Sequence, residues 1–352
     1  MSGYSNKIYV NIIIPVYGVE KYVDEFMKSL CAQTFQGFRA IFVNDCCKDN
    51  SMEIIKEYES FFSNRMVIID NTTNLGLSGS RNVGLEYANE NPTDYISFLD
   101  PDDFIESDYL KDLVENAIMY DADLCISGVI RFDDESGNII CKEMINYTDN
   151  IYKNGYECDC FAYINPCAYS KLYRFDLIKN IRFKSIKRSE DTCYLFEILP
   201  FLHNIKFTNH AYYHYRVRNS SLSGALDRDK YDSMHEVFAQ MISLFSSRTY
   251  ELYKEMFETQ IFIRSSLGGV SRLSFSDLKQ TRRIVAEELL YLDHNISNWR
   301  NNKYLNFSIK NFTNYKRIAI VICAALYKMH IFSVFVYVYY FVSRMLKKDI
   351  RA

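Results

Sequence analysis

Several features that would place a chain of 352 residues quickly are missing from this one. No apolar stretch reaches the ~20 residues needed to cross a bilayer as a helix. The two strongest, residues 318–327 and 331–342, are separated by Lys328 and His330. The ten cysteines lack the paired spacing of a zinc ribbon. Cys46 and Cys47 are adjacent, and Cys158-x-Cys160 with Cys167 has no nearby histidine, so reduced, partly buried thiols are expected. Residues 1–7 are polar and too short for a secretory leader, which predicts a cytoplasmic protein. A net charge of −3 excludes the strongly basic balance of a nucleic-acid binder.

What is present is ordinary globular material, 48% hydrophobic and 24% charged, with a high aromatic content of 16%. The length suits two domains, or one domain with a helical extension. Charge is unevenly spread. Residues 306–352 carry eight Lys/Arg and only Asp349, a local +7 that leaves −10 on the rest. A basic, apolar tail on an acidic body predicts contact with an anionic membrane surface, as an interfacial helix pair. A true membrane span, a core helix or a dimer interface are the other uses of the same residues.

Over the first ~130 residues, strand-like runs (IYVNIII, RAIFV, MVII, YISFL, DLCISGVI) alternate with amphipathic helical patterns. That order predicts a parallel sheet covered by helices on both faces, an α/β fold. Ligands in such sheets sit beyond the carboxyl ends of strands, and polar clusters stand at those ends here: Asp45, Asn74 to Arg81, and Asp100 to Asp103. Residues 131–165 look irregular, with a turn at 133–137, and the pattern from about Asp227 to Asn301 is helical.

The stretch Phe98-Leu-Asp-Pro-Asp-Asp103 carries the most chemistry. Pro101 forces an extended turn between carboxylates that can face one hard cation, and the cation can hold a diphosphate. Taken alone, such a tripeptide reads more readily as a surface turn.

The motifs in this order give it another meaning. Ile12-Ile-Ile-Pro-Val-Tyr17, Val43-Asn-Asp45 with Asp49-Asn-Ser51, Asn74 to Asn82, Phe98 to Asp103, Lys171-Leu-Tyr-Arg174, Glu190-Asp191 and Tyr215 to Ser223 follow one another along residues 8–225. The set resembles the family-2 inverting glycosyltransferases of the GT-A fold, and most of all the bacterial branch that builds capsule, O-antigen and exopolysaccharide.

The resemblance implies a GT-A catalytic domain over 1–225, while periodicity and charge beyond it predict a helical region over 226–305 and basic amphipathic membrane-associating helices over 306–352. The resemblance also implies a UDP-sugar donor, a divalent metal (Mn or Mg), and a saccharide acceptor, expected to be lipid-linked, at the inner face of the plasma membrane. Asp45 would accept from the uracil N3–H, with Pro15, Asn74 and Arg81 beside the nucleotide. Asp100 and Asp102 would hold the metal, and Asp103 is left open. Asp191 would be the general base that takes the acceptor proton, with Glu190 orienting it. Arg216, Arg218, Ser221 and Ser223 match a loop over the diphosphate. His214 either adds a metal ligand or replaces an aromatic in its strand, the second being favoured.

Cys46-Cys47-Lys48 departs from the family's Gly-Ser-Thr, and losing glycine predicts a differently shaped turn after Asp45. Two other readings stand beside this one. A sugar nucleotidyltransferase would carry a glycine-rich signature with Arg and Lys, absent between Ile14 and Glu25. A degenerate transferase acting as an assembly partner would not need Asp45, Asp100, Asp102 and Asp191.

Overall fold

The structure, a computed structural model, describes residues 9–145, 147, 151–185, 189–218, 226–244, 251–296, 298–308 and 315–345. Two compact units divide the chain. The first holds 1–158, 165–186 and 190–218, and the second holds 159–164, 187–189 and 219–352.

The first unit is built on one ten-stranded sheet. Its strands are β1 (Val10–Val16), β2 (Phe38–Asn44), β3 (Met66–Asp70), β4 (Tyr95–Phe98), β5 (Phe104–Ile105), β6 (Leu124–Asp133), β7 (Ile139–Glu143), β8 (Ile151–Tyr152), β9 (Lys171–Arg174) and β10 (Ile205–Val217). The order is β3-β2-β1-β4-β9-β6-β10-β5, with β7 on β6 and β8 on β10. The first four strands are parallel, as their sequence pattern predicts. The rest corrects that prediction. β9 lies antiparallel between β4 and β6, so the sheet is mixed. Four residues with one charge at each end give little periodicity by which to recognise a strand.

Leaving one-turn helices unnumbered, α1 (Val23–Cys31), α2 (Ser51–Glu57), α3 (Gly76–Glu90), α4 (Tyr109–Met119) and α5 (Glu190–Ile198) belong to this unit. α1 buries Val23, Phe26, Met27 and Leu30, the face that its spacing predicts. Each such side chain contributes about 1.5–3 kcal/mol when fully removed from water. α3 comes unusually close to the sheet. A Cβ on Gly84 would stand 2.5 Å from the Ile13 side chain, so glycine there lets α3 press on β1.

β1 continues through Pro15 to Val16, beyond the expected stop. Its pairing with β4 ends at Ile13–Phe98, so Pro15 sits where only β2 flanks the strand and no donor is missed on the other side. Side chains serve two helix starts: Asp49 accepts from the Ser51 amide at α2, and Gln33 accepts from the Leu110 amide at α4. The turn at 133–137 forms as expected, with Gly137 at φ 70°.

The second unit is helical: α6 (Arg228–Leu244), α7 (Lys254–Ile261), a π-helical stretch Phe262–Gly269, α8 (Val270–Ser276), α9 (Thr281–Asn295), α10 (Tyr315–Lys328) and α11 (Phe332–Met345). Gln260 donates to Phe161 O and Ile164 O, and Arg317 pairs with Asp159, which ties residues 159–164 into this unit. Among the described residues, none of the helices is long and apolar enough to cross a membrane. Eight described cysteines are free thiols, as expected, but Cys158 and Cys160 are disulfide-bonded.

Candidate functional site

Because β1, β2 and β4 run parallel, the residues after Val16, Asn44 and Phe98 emerge at one end of the sheet. Asp45 is there, 3% exposed, and its carboxylate is already at work. Oδ1 accepts from the Leu75 amide at 2.7 Å and from Asn71, and Oδ2 accepts from the Gly76 amide at 2.9 Å. These are the first amides of α3, so Asp45 caps that helix from another element. Asn74 donates to the Asp45 carbonyl. An ionised carboxylate has about four acceptor positions, so roughly one remains for a ligand. Pro15 is buried in β1 behind this edge.

The turn after Asp45 corrects the expected change of shape. Cys46 takes φ 62°, the left-handed conformation a glycine would supply. The cost is about 1–2 kcal/mol for a residue with a Cβ. The surroundings hold it: Cys46 Sγ donates to Asn71 O, and the Cys47 amide donates to Asn44 Oδ1.

In the turn after β4, the three carboxylates have separate tasks. Asp103 is 1% exposed, accepting from Tyr213 Oη at 2.6 Å and from the Arg216 amide at 2.7 Å. Burial, with Asp102 and Asp100 nearby, pushes it well above the usual carboxylate range. It holds the turn. Asp100 and Asp102 keep about a fifth of their side-chain exposure.

Arg81, on α3 and 1% exposed, joins elements far apart in sequence. Nη2 donates to Asp100 Oδ1 at 3.0 Å and Nη1 to Asp191 Oδ1 at 2.6 Å, while the guanidinium lies over Phe183. Asp191 stands at the start of α5, and its Oδ2 accepts from the Ala168 amide at 3.0 Å. Burial alone would lower the Arg81 pKa, but Asp191 and Asp100 reverse this and hold it above its ordinary value. One cation shared by two acids neutralises neither fully. Burial pushes Asp100 up to about 6, and Asp102 and Asp191 add to that against the pull of Arg81.

This arrangement fits a divalent cation. Asp100 and Asp102 each keep one oxygen outside their arginine pairs, and the site carries uncompensated negative charge. Among the described residues no group of three or more metal-ligating side chains forms. Two carboxylates nevertheless suffice for Mg²⁺ or Mn²⁺ when phosphate oxygens and water complete the shell. His214 stays out of it, paired with Glu106 at 2.9 Å and stacked on Phe104.

Arg218 pairs with Asp102 and lies over the Tyr22 ring. Arg216 is nearly consumed, donating to Asp102 O, Asp134 and Glu25, and it also lies over Tyr22. Ser221 and Ser223 lie outside the described residues. Glu190 begins α5 beside Asp191. Of the residues singled out in the sequence, the structure brings Arg81, Asp100 and Asp191 together, with Asp102 in the same turn as Asp100, and sets Asp45 with Asn74 in a second group. Sequence reasoning did not foresee the Ala168 amide, Phe183, or the Glu25 and Asp134 partners of Arg216. It also passed over Tyr17, 54% exposed just after β1, whose signal was a large aromatic at a strand end.

Residues 11–182 match the family model described as glycosyl transferase family 2. Glycosyltransferase GlyA of Streptococcus pneumoniae serotype 4 is 28% identical over 292 residues, which cover 78% of this chain and 41% of GlyA. The chain therefore spans less than half the length of that relative. Among solved structures, Staphylococcus aureus TarS 1-349 in complex with UDP-GlcNAc matches with TM-score 0.66 at 18% identity, over 97% of this chain and 93% of that one. The mannosyltransferase PcManGT of Pyrobaculum calidifontis, in complex with GDP-Man and Mn²⁺, matches with TM-score 0.53 at 10% identity over 97% of this chain and 88% of that one. At those identities the likeness is one of fold, a GT-A-like α/β sheet followed by C-terminal helices.

Proposed function

Residues 11–182 belong to glycosyl transferase family 2, and from that premise we propose that the protein transfers a sugar from a UDP-sugar to a hydroxyl of a saccharide acceptor, with inversion. The observation that carries this reading is the Arg81 bridge, which ties Asp100, a candidate diphosphate-side acid, to Asp191, a candidate base.

Asp191 would take the proton of the acceptor hydroxyl as that oxygen attacks the anomeric carbon, on the face opposite the departing diphosphate. Arg81 on one oxygen and the Ala168 amide on the other fix the carboxylate in place. Asp45 accepts from the base of the nucleotide at its remaining acceptor position, and the exposed Tyr17 ring offers a stacking surface at the same strand end. Asp100 and Asp102 would hold a divalent cation, which supplies positive charge to the diphosphate leaving group. Arg218, paired with Asp102 here, would face the diphosphate if Asp102 held a cation instead.

The acceptor on this reading is lipid-linked, and the protein attaches peripherally to the cytoplasmic membrane surface. Support comes from α11, where Val334, Val338, Phe341, Val342 and Met345 are all exposed at helical spacing. A contiguous apolar face of this kind on a basic segment suits a membrane interface.

The test screens UDP-sugars for Mn²⁺-dependent release of UDP in the presence of lipid-linked saccharides, comparing wild type with Asp191→Asn. Robust turnover by the variant overturns the base assignment. Turnover independent of metal overturns the assignment of Asp100 and Asp102.

A further inference from the structure

Lys171 opens β9 and is wholly buried. Its Nζ donates to Cys167 O at 2.6 Å, with Cys167 Sγ at 3.4 Å and Asn165 O and Tyr169 O at 3.5 Å. Among the described residues no carboxylate pairs with it. Its successors Leu172 and Tyr173 are apolar core, and a buried ammonium without an anionic partner is costly. A residue kept at such a position needs a task that its neighbours do not have.

The short contact shows the task. Cys167 C=O and Ala168 N–H are the two ends of one peptide unit, and the Ala168 N–H is the group that donates to Asp191 Oδ2 at 3.0 Å. A trans peptide is planar with its C=O and N–H pointing in opposite directions, so fixing the oxygen aims the hydrogen. An ammonium on the oxygen also polarises the unit and strengthens its N–H as a donor. The loop around it is pinned by Tyr173 Oη on Ala168 O and by Ser170 at φ 60°, whose carbonyl accepts from the Ser127 amide.

We propose that Lys171 is a positioning residue for Asp191, acting through the Cys167–Ala168 peptide. The inference rests on the reading of Asp191 as the base. Lys171 does not meet substrate. It sets the direction and strength of one of the two hydrogen bonds that aim the carboxylate.

The experiment compares wild type, Lys171→Met, Asp191→Asn and the double variant in the full chain, with folding checked by thermal melting. For Lys171→Met, kcat is expected to fall about 10- to 100-fold, the scale of a displaced catalytic group. KM for the UDP-sugar is expected to stay close to wild type. In the Asp191→Asn background the Lys171 change should cost nothing further. If Lys171→Met does not fold, Lys171→Gln, which keeps a donor without the charge, is read by the same split between kcat and KM. A loss carried by KM with kcat unchanged, or a full multiplicative loss in the double variant, overturns the inference alone. Wild-type turnover in Asp191→Asn overturns the base reading and this inference with it.

Discussion

Each unit of this chain buries a charge, and the two are treated differently. In the helical unit, Glu288 on α9 is fully buried with four donors around it: Tyr231 Oη, Ser265 Oγ at 2.8 Å, Ser266 Oγ at 2.5 Å and His235 Nε2 at 2.9 Å. Burial alone would raise its pKa, but the His235 hydrogen bond and charge, with the Ser266 and Tyr231 hydroxyls, hold it below the ordinary carboxylate range. In the sheet unit, burial also acts on Asp100, yet it receives only part of Arg81, keeps a fifth of its exposure and rises to about 6. The same physics gives opposite signs because the donor supply differs. A sealed, fully donated carboxylate is structural. One that is partly exposed and short of donors is where a ligand is wanted.

Substitutions can break this contrast. The largest expected effect is on chemistry. Asp191→Asn should lower kcat by about 10²–10⁴, the range for a lost general base, while the melting temperature changes little. Initial rates of UDP release at saturating donor check it, and a loss confined to KM would move Asp191 to binding.

Next comes Glu288→Ala, which leaves His235 without its carboxylate and three hydroxyls without an acceptor. A destabilisation of about 3–5 kcal/mol is expected in urea titrations. Linkage adds a pH signature. Because the folded pKa is lowered, Glu288 contributes stability above its unfolded value of about 4.3, and that contribution is lost as pH falls through and below that value. Wild type should therefore show an acid-side decline that Glu288→Ala lacks. Equal slopes would mean that the pair is not the source.

A smaller effect is expected at the exposed face of α11. Val338→Glu with Phe341→Glu should reduce sedimentation with anionic vesicles by about tenfold and leave UDP release from soluble acceptors unchanged. Unchanged sedimentation would remove the membrane role. The smallest effect tests the division of labour in the DPDD turn. Asp103→Asn, at a carboxyl that burial already drives toward the neutral form, should change kcat less than about threefold. Asp102→Asn should cost far more, and the reverse order would exchange their roles.

Much of the sheet unit was legible because its information is local. Apolar runs end in polar clusters at Asp45 and Asp100, so the strand ends and their acids could be read in order. The Arg81 bridge could not be read, since Asp191 is 110 residues away and only tertiary folding brings it to α3. The pairing of Arg216 was hidden for the same reason, its partner Glu25 being 191 residues distant. β9 was obscure because a four-residue strand owes its existence to β4 and β6 on either side. Cys46 shows the converse: a residue poorly suited to positive φ is held there by contacts that no local rule contains.

That left-handed turn also makes the chain chemically addressable. It puts two half-buried thiols, Cys46 and Cys47, directly after the acid proposed to read the nucleotide base, where a glycine and a serine would be inert. Burial raises the Cys47 pKa and slows its reaction with electrophiles. Alkylation at this dipeptide, followed by peptide mass mapping with and without UDP, would turn the family's missing glycine into a built-in footprint of donor occupancy.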